Sequence, residues 1–242
     1  MFPTIQLGPL AVQSGGLILL LTFMLALEVL RRVAASVGLN GDDASNLGFA
    51  SGVAGLIAAR LGYVAQYWQV FRDSPLSILA LTPDALSPLA GLGAGLIAGL
   101  AYAQRKRLDN RRFLDALAPA LAVAAAGVAL ADLATGRNAG APASLPWAID
   151  LWGAPRHPVQ VYHLLAAVLS GLLAVRAGRP FDGAWFGLFL ALYAASVVFL
   201  EVFHDASATV GGLRTAQVAG LAVVVAALML LRRWSGDRSS RG

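Results

Sequence analysis

Long apolar stretches recur along the chain at roughly 12–30, 47–65, 86–104, 114–134, 160–177, 184–203 and 211–231, each broken from the next by charge, proline or polar clusters. A helix needs about 20 apolar residues to cross the hydrocarbon of a bilayer. The pattern predicts an all-α, polytopic integral membrane protein of about seven transmembrane helices, forming one helical domain over 1–234. A short polar tail, 235–242, is expected on the cytoplasmic side and without regular structure. Arg60 and several glycines dilute the second and third stretches, where a re-entrant or interfacial segment is the alternative. Gly91, Gly95 and Gly99 recur every four residues, the spacing that lets a neighbouring helix come close.

The distribution of basic residues orients these helices. Arg31 and Arg32 follow the first stretch, Arg105, Lys106, Arg107, Arg111 and Arg112 the third, Arg176 and Arg179 the fifth, and Arg232, Arg233, Arg238 and Arg241 the seventh. Under the positive-inside rule this side is cytoplasmic, which puts the amino terminus out and the carboxyl terminus in. An odd number of spans is required, because an even one would separate the basic tail from the 105–112 cluster. No Lys or Arg precedes the first stretch and it exceeds a signal-peptide core in length, so it is expected to stay as a span.

Composition narrows the chemistry. Of 242 residues, 58% are hydrophobic and only 13% charged, which excludes an ordinary soluble domain. The net charge of +5 is absorbed by the topology signal, so nucleic acid is not expected as a partner. With no Cys there is no disulfide, thiolate metal site, catalytic thiol or lipidated cysteine. The only lysine, Lys106, lies in a cytoplasmic cluster, which excludes a retinal Schiff base. Signatures of rhomboid-like serine proteases, zinc peptidases and Walker-type ATPases are absent, and no internal symmetry suggests a secondary transporter.

The remaining arginines, Arg60, Arg72, Arg137, Arg156 and Arg214, all fall on the outer side, together with His157, His163 and His204. Asp132 and Glu201 lie near the outer ends of the fourth and sixth stretches. Ionisable groups at membrane depth are costly and mark function by default. Guanidinium groups and helix starts such as that after Arg156-His157-Pro158 suit an anionic head group. Taken singly, each has a structural reading too: Arg60 can snorkel, and Glu201, His204 and Asp205 can form the wet end of a helix.

These ordered motifs resemble the bacterial prolipoprotein diacylglyceryl transferase family over nearly the whole chain. The resemblance is carried by Leu7-Gly8-Pro9-Leu10, Arg60-Leu61-Gly62-Tyr63-Val64, Asp115 with Ala118-Pro119, and above all Arg156-His157-Pro158-Val159-Gln160-Val161-Tyr162. Gly187-Leu188-Phe189, Tyr193, Glu201 and Gln217 keep the family's order. The resemblance implies a multi-pass protein of the bacterial cytoplasmic (inner) membrane. It implies transfer of the diacylglyceryl group of phosphatidylglycerol to the lipobox cysteine thiol of a preprolipoprotein signal peptide. Phosphatidylglycerol, that peptide and membrane lipids are the expected partners, with no metal and no cofactor. It also implies a catalytic set of Glu201, His157 and Asp132, and a substrate-binding set of Arg60, Tyr63, Gly140, Arg156, Gln160, Tyr162, Tyr193 and Arg214.

The chain also departs from the family pattern. The signature rich in Gly, Asn and Arg falls on Val128 to Gly140, where the family's Arg is Ala129, its Asn residues are Asp132 and Thr135, and its Glu is Arg137. No histidine occurs at Leu89 to Gly95, Gly15 stands for a tyrosine, and Val197 occupies the position four residues before Glu201. His163, His204 and Arg137 are the residues here that could compensate. The alternative to a divergent transferase is a non-catalytic relative that binds phospholipid or a lipoprotein signal peptide. With Val197 uncharged, Arg60 or Arg214 is expected to pair with Glu201.

Overall fold

A computed structural model describes residues 4–7, 10–79, 85–205, 209–210 and 212–239. Gly8 and Pro9 of the opening motif, and Arg241 of the tail, lie outside the described residues. The chain is helical throughout, with α1 Ser14–Ser36, α2 Gly41–Gln66, a single turn α3 Trp68–Phe71, α4 Pro88–Lys106, α5 Asn110–Thr135, α6 Val159–Arg176, α7 Ala184–Leu200 and α8 Thr215–Ser239. Three two-stranded antiparallel hairpins accompany them: β1 Thr4–Leu7 with β2 Leu10–Gln13, β3 Ile149–Leu151 with β4 Ala154–Arg156, and β5 Thr209–Val210 with β6 Leu213–Arg214. Among the described residues five segments are long and apolar enough to cross a membrane: α2, α5, α6, the run Ala184–Phe203, and Thr215–Asp237 of α8. The chain is a multi-pass membrane protein. The helix α8 runs on to Ser239, so residues 235–239 of the polar end are helical where no regular structure was expected.

The chain divides into two compact units, Leu30–Phe113 and Met1–Val29 with Leu114–Gly242. In the first, Asn40 caps α2 by accepting the Asp43 N–H at 2.9 Å, satisfying one of the orphan donors of the first turn. The same turn's Asp43 carboxylate meets Lys106 Nζ at 2.8 Å, which ties the end of α4 to the start of α2. The hydrogen bond and the charge of Asp43 raise the Lys106 pKa above its ordinary value. The glycine stripe acts here. A Cβ on Gly91 would stand 2.9 Å from the Ala59 Cβ, and one on Gly95 would stand 3.0 Å from the Ser51 carbonyl oxygen. The backbones of α2 and α4 therefore approach closely because neither glycine has a side chain.

In the second unit α6 packs on α7 and α7 on α8. Ala118, Ala122, Ala174 and Phe189 form a buried cluster, in which small residues again set the helix separation. Gly127 of α5 faces the Thr22 side chain of α1 with no space for a Cβ. Gly183, at φ 97°, lies under the Trp234 ring and begins α7 in a conformation that L side chains rarely adopt. Large apolar residues such as Leu21, Leu172, Phe199 and Leu221 remain exposed around the helices, as a lipid solvent allows.

Candidate functional site

The site is assembled by the loop between α5 and α6. The β3–β4 hairpin turns through Trp152 and Gly153, both at positive φ (57° and 80°), the conformation of the two-residue turn that matches strand twist. Trp152 Nε1 anchors it by donating to the Gly136 carbonyl at 3.2 Å. Residues 140–143 then run as a strap between two other segments. On one side Ala143 N donates to Pro155 O at 3.0 Å and His157 N to Ala141 O at 3.0 Å. On the other, Ala141 N donates to Phe203 O at 2.8 Å, and Gly140 bridges His204. Backbone pairing thus brings Arg156 and His157 beside His204 and Asp205. Gly140 must be glycine here, because a Cβ would run into the His157 carbonyl and the Val159 side chain.

Arg156 is mostly enclosed and divides its Nη1 between the Gly140 carbonyl, 3.0 Å, and the Asp205 carboxylate, 2.6 Å. Its Nε is buried without a hydrogen-bond partner among the described residues. Gln160, in the first turn of α6 and 2% exposed, donates from Nε2 to the Arg137 carbonyl at 2.6 Å. That leaves its Oε1 buried with no donor among the described residues, a cost that a bound donor would remove.

Gln160 looks into a cavity of about 180 Å³, whose polar wall consists of Asp132, Asn138, Gln160, His163, Tyr193 and His204. Asn138 Nδ2 donates to Asp132 Oδ2 at 2.6 Å, and Tyr193 stacks on Phe189 with ring centres 5.7 Å apart. The rings of His163 and His204 face each other at 5.4 Å, and His204 Nδ1 lies 3.5 Å from Glu201 Oε2. Ala129 lines the same space without a polar group.

Not every expected residue converges there. His157 and Tyr162 head a separate, larger groove of about 780 Å³ along α6 and α7, lined otherwise by Leu, Ala and Phe with Trp147 and Ser196. Tyr162 Oη sits 3.4 Å from His157 Nδ1 and accepts from Trp147 Nε1 at 2.9 Å, while Phe203 closes on the His157 ring at 4.9 Å. Arg60 and Tyr63 belong to the other unit. The buried Arg60 guanidinium donates to the carbonyls of Ser77, Ile78 and Ala85 and lies over Phe71, and Tyr63 packs on Tyr67 with ring centres 4.6 Å apart. Of the two arginines expected to pair with the Glu201 carboxylate, Arg60 is bound to carbonyls of its own unit, and Arg214 donates to the backbone carbonyls of Glu201 and His204. Among the described residues no group of His, Asp and Glu could hold a metal ion.

His163, His204, Asn138 and Asp205 are not in the expected catalytic or binding sets, although the two histidines are expected on the outer side as residues that could compensate. The histidines carried the only available signal, since the chain has three and all fall on one side of the predicted topology. Asn138 and Asp205 carried none, because only the strap brings them into place.

A family model described as "Prolipoprotein diacylglyceryl transferase" matches residues 3–233. A phosphatidylglycerol–prolipoprotein diacylglyceryl transferase of Geobacter sulfurreducens is 31% identical over 219 residues, covering 85% of this chain and 83% of the relative. Proteins of the same name from Photobacterium profundum and Gluconobacter oxydans are 31% and 32% identical. They cover 87% and 85% of this chain and 84% and 81% of their own lengths.

Proposed function

Because the chain belongs to the prolipoprotein diacylglyceryl transferase family, we propose that it transfers the diacylglyceryl group of phosphatidylglycerol to the lipobox cysteine of a preprolipoprotein. The reaction takes place at the outer face of a bacterial cytoplasmic membrane. The thiol loses its proton, the thiolate attacks the glyceryl carbon, and the bond from that carbon to the phosphate oxygen breaks. Glycerol phosphate leaves with the electron pair. The protein's task is to hold the two substrates together, accept the thiol proton and offset the charge that develops on the phosphate.

The observation that carries this reading is the cavity walled by Asp132, Asn138, Gln160, His163, Tyr193 and His204 in an otherwise apolar helical protein, with Arg156 bound to the Gly140 carbonyl of the strap that pairs with His204. Arg156 is the cation for the phosphate, and its unpartnered Nε supports that role. Gln160, Tyr193 and Asp132 take the glycerol head, Gly140 keeps the strap close, and Arg214 fixes the turn that bears Glu201. His157 and Tyr162 mark the polar head of the groove along α6 and α7, whose apolar walls suit an acyl chain or the signal peptide. Arg60 and Tyr63 support the outer end of α2. The topology that goes with this reading has seven spans in one membrane domain, amino terminus out and carboxyl terminus in.

One observation favours the second reading, a relative that binds lipid without transfer: the Arg156 charge is already met by Asp205, while Ala129 and Val197 offer none. Complementation of a bacterial strain depleted of its own transferase separates the two. Growth with lipid-modified preprotein supports transfer, and absence of both alongside retained phosphatidylglycerol binding supports the second reading.

A further inference from the structure

We propose that His163 is the base that takes the thiol proton, and that Glu201 and His204 position it. This inference rests on the transfer reading. Three features of the cavity carry it. His163 lines the polar cavity from the start of α6, so its imidazole can exchange a proton with a group bound there. His204 faces it at 5.4 Å across the same space. Behind His204 stands a carboxylate, Glu201 Oε2, 3.5 Å from Nδ1, a buried nitrogen with no hydrogen-bond partner among the described residues. A carboxylate beyond the neighbouring ring favours the charged imidazole that forms when His163 takes a proton.

The other candidates are occupied or elsewhere. His157 opens onto the α6–α7 groove, where Tyr162 and Phe203 hold its ring. The Asp132 carboxylate is engaged by Asn138. Arg214 donates to the carbonyls of Glu201 and His204 and fixes the turn that carries both.

The titratable and charged groups that face His163 are His204 and Glu201 at the end of α7, Asp132 of α5 and Tyr193 of α7, with Arg214 behind the turn. The nearby acids compensate a protonated imidazole once the proton has moved from sulfur to nitrogen. Sulfur then holds the electron pair that forms the bond to the glyceryl carbon. A His163 already protonated before the thiol arrives cannot accept, so transfer falls on the acid side as this group titrates.

The test measures transfer by the full-length protein in phosphatidylglycerol vesicles, with a synthetic lipobox peptide, across the histidine titration range. Wild type is expected to show an acid limb. His163→Gln is expected to lower kcat by about 10²–10⁴-fold, with little change in KM for the peptide, and to lose that limb. Added imidazole is expected to restore part of the rate to His163→Ala. Glu201→Gln shifts the limb rather than removing it. Unfolding midpoints are recorded for each, and His163→Asn replaces any variant that does not fold. A His163→Gln protein that keeps both rate and acid limb overturns the assignment while leaving the transfer reading intact. A folded wild type with no transfer at any pH overturns both.

Discussion

The carboxylate of Asp115 accepts the backbone N–H of Gly183 at 2.8 Å, so that a residue of α5 caps the start of α7. Its other oxygen accepts from Trp185 N at 2.9 Å and Phe186 N at 3.3 Å, and the side chain is fully buried. These are donors that a helix start leaves without intrahelical partners. Asp115→Ala is expected to cost about 3 kcal/mol by stranding them, and Asp115→Asn less, because one acceptor oxygen remains. Thermal unfolding in detergent checks both, and equal stability of the alanine variant would refute the capping role.

A second expectation concerns the contact between α2 and α4. Gly91→Leu must push a side chain into Ala59 and the Gly55 carbonyl, which a Cβ alone would approach to 3.0 Å. Overpacking of this kind costs about 1–3 kcal/mol. The same change at Gly93, with nothing near its Cβ position, should be neutral, and unfolding midpoints of the two variants distinguish them.

Arg156→Ala is expected to weaken phosphatidylglycerol retention by about 1.5–3 kcal/mol if the guanidinium makes a charged hydrogen bond to phosphate. Native mass spectrometry reads this directly. Arg60→Ala, by contrast, should act mainly on stability, since its donors are spent on the carbonyls of Ser77, Ile78 and Ala85.

Orientation is open to a simple probe because the protein has no cysteine. Ser144→Cys, exposed in the loop before α6, should react with an impermeant thiol reagent from outside, and Asp109→Cys only after the membrane is opened. The reverse pattern would invalidate the assignment from charge.

The apolar stretches were legible because a helix runs through most of each, but their ends were not. The stretch at 47–65 lies inside α2, which begins at Gly41 because Asn40 caps it through polar residues that hydropathy reads as loop. Likewise α8 passes through Arg232, Arg233 and Ser235, since nothing there stops a helix that leaves the apolar run. The glycine spacing was readable because it reports on one helix face. The strap was not, since Gly140–Ala143 has no strand pattern of its own and gains its structure from two segments far away in the chain. His163 and His204, 41 positions apart, were visible as rare residues, yet nothing local showed that they face one another across one cavity.

The strap also fixes when during biosynthesis the site can exist. Gly140–Ala143 finds its first edge in residues 154–157 soon after they emerge, but its second edge, Phe203 and His204, is made only once α7 has been synthesised. A chain arrested before that point carries Arg156 and Gln160 without the acids and the imidazole that complete their surroundings. The protein therefore passes through most of its insertion with an unfinished centre, and translation of the last fifth of the chain is the step that turns a set of membrane helices into a site.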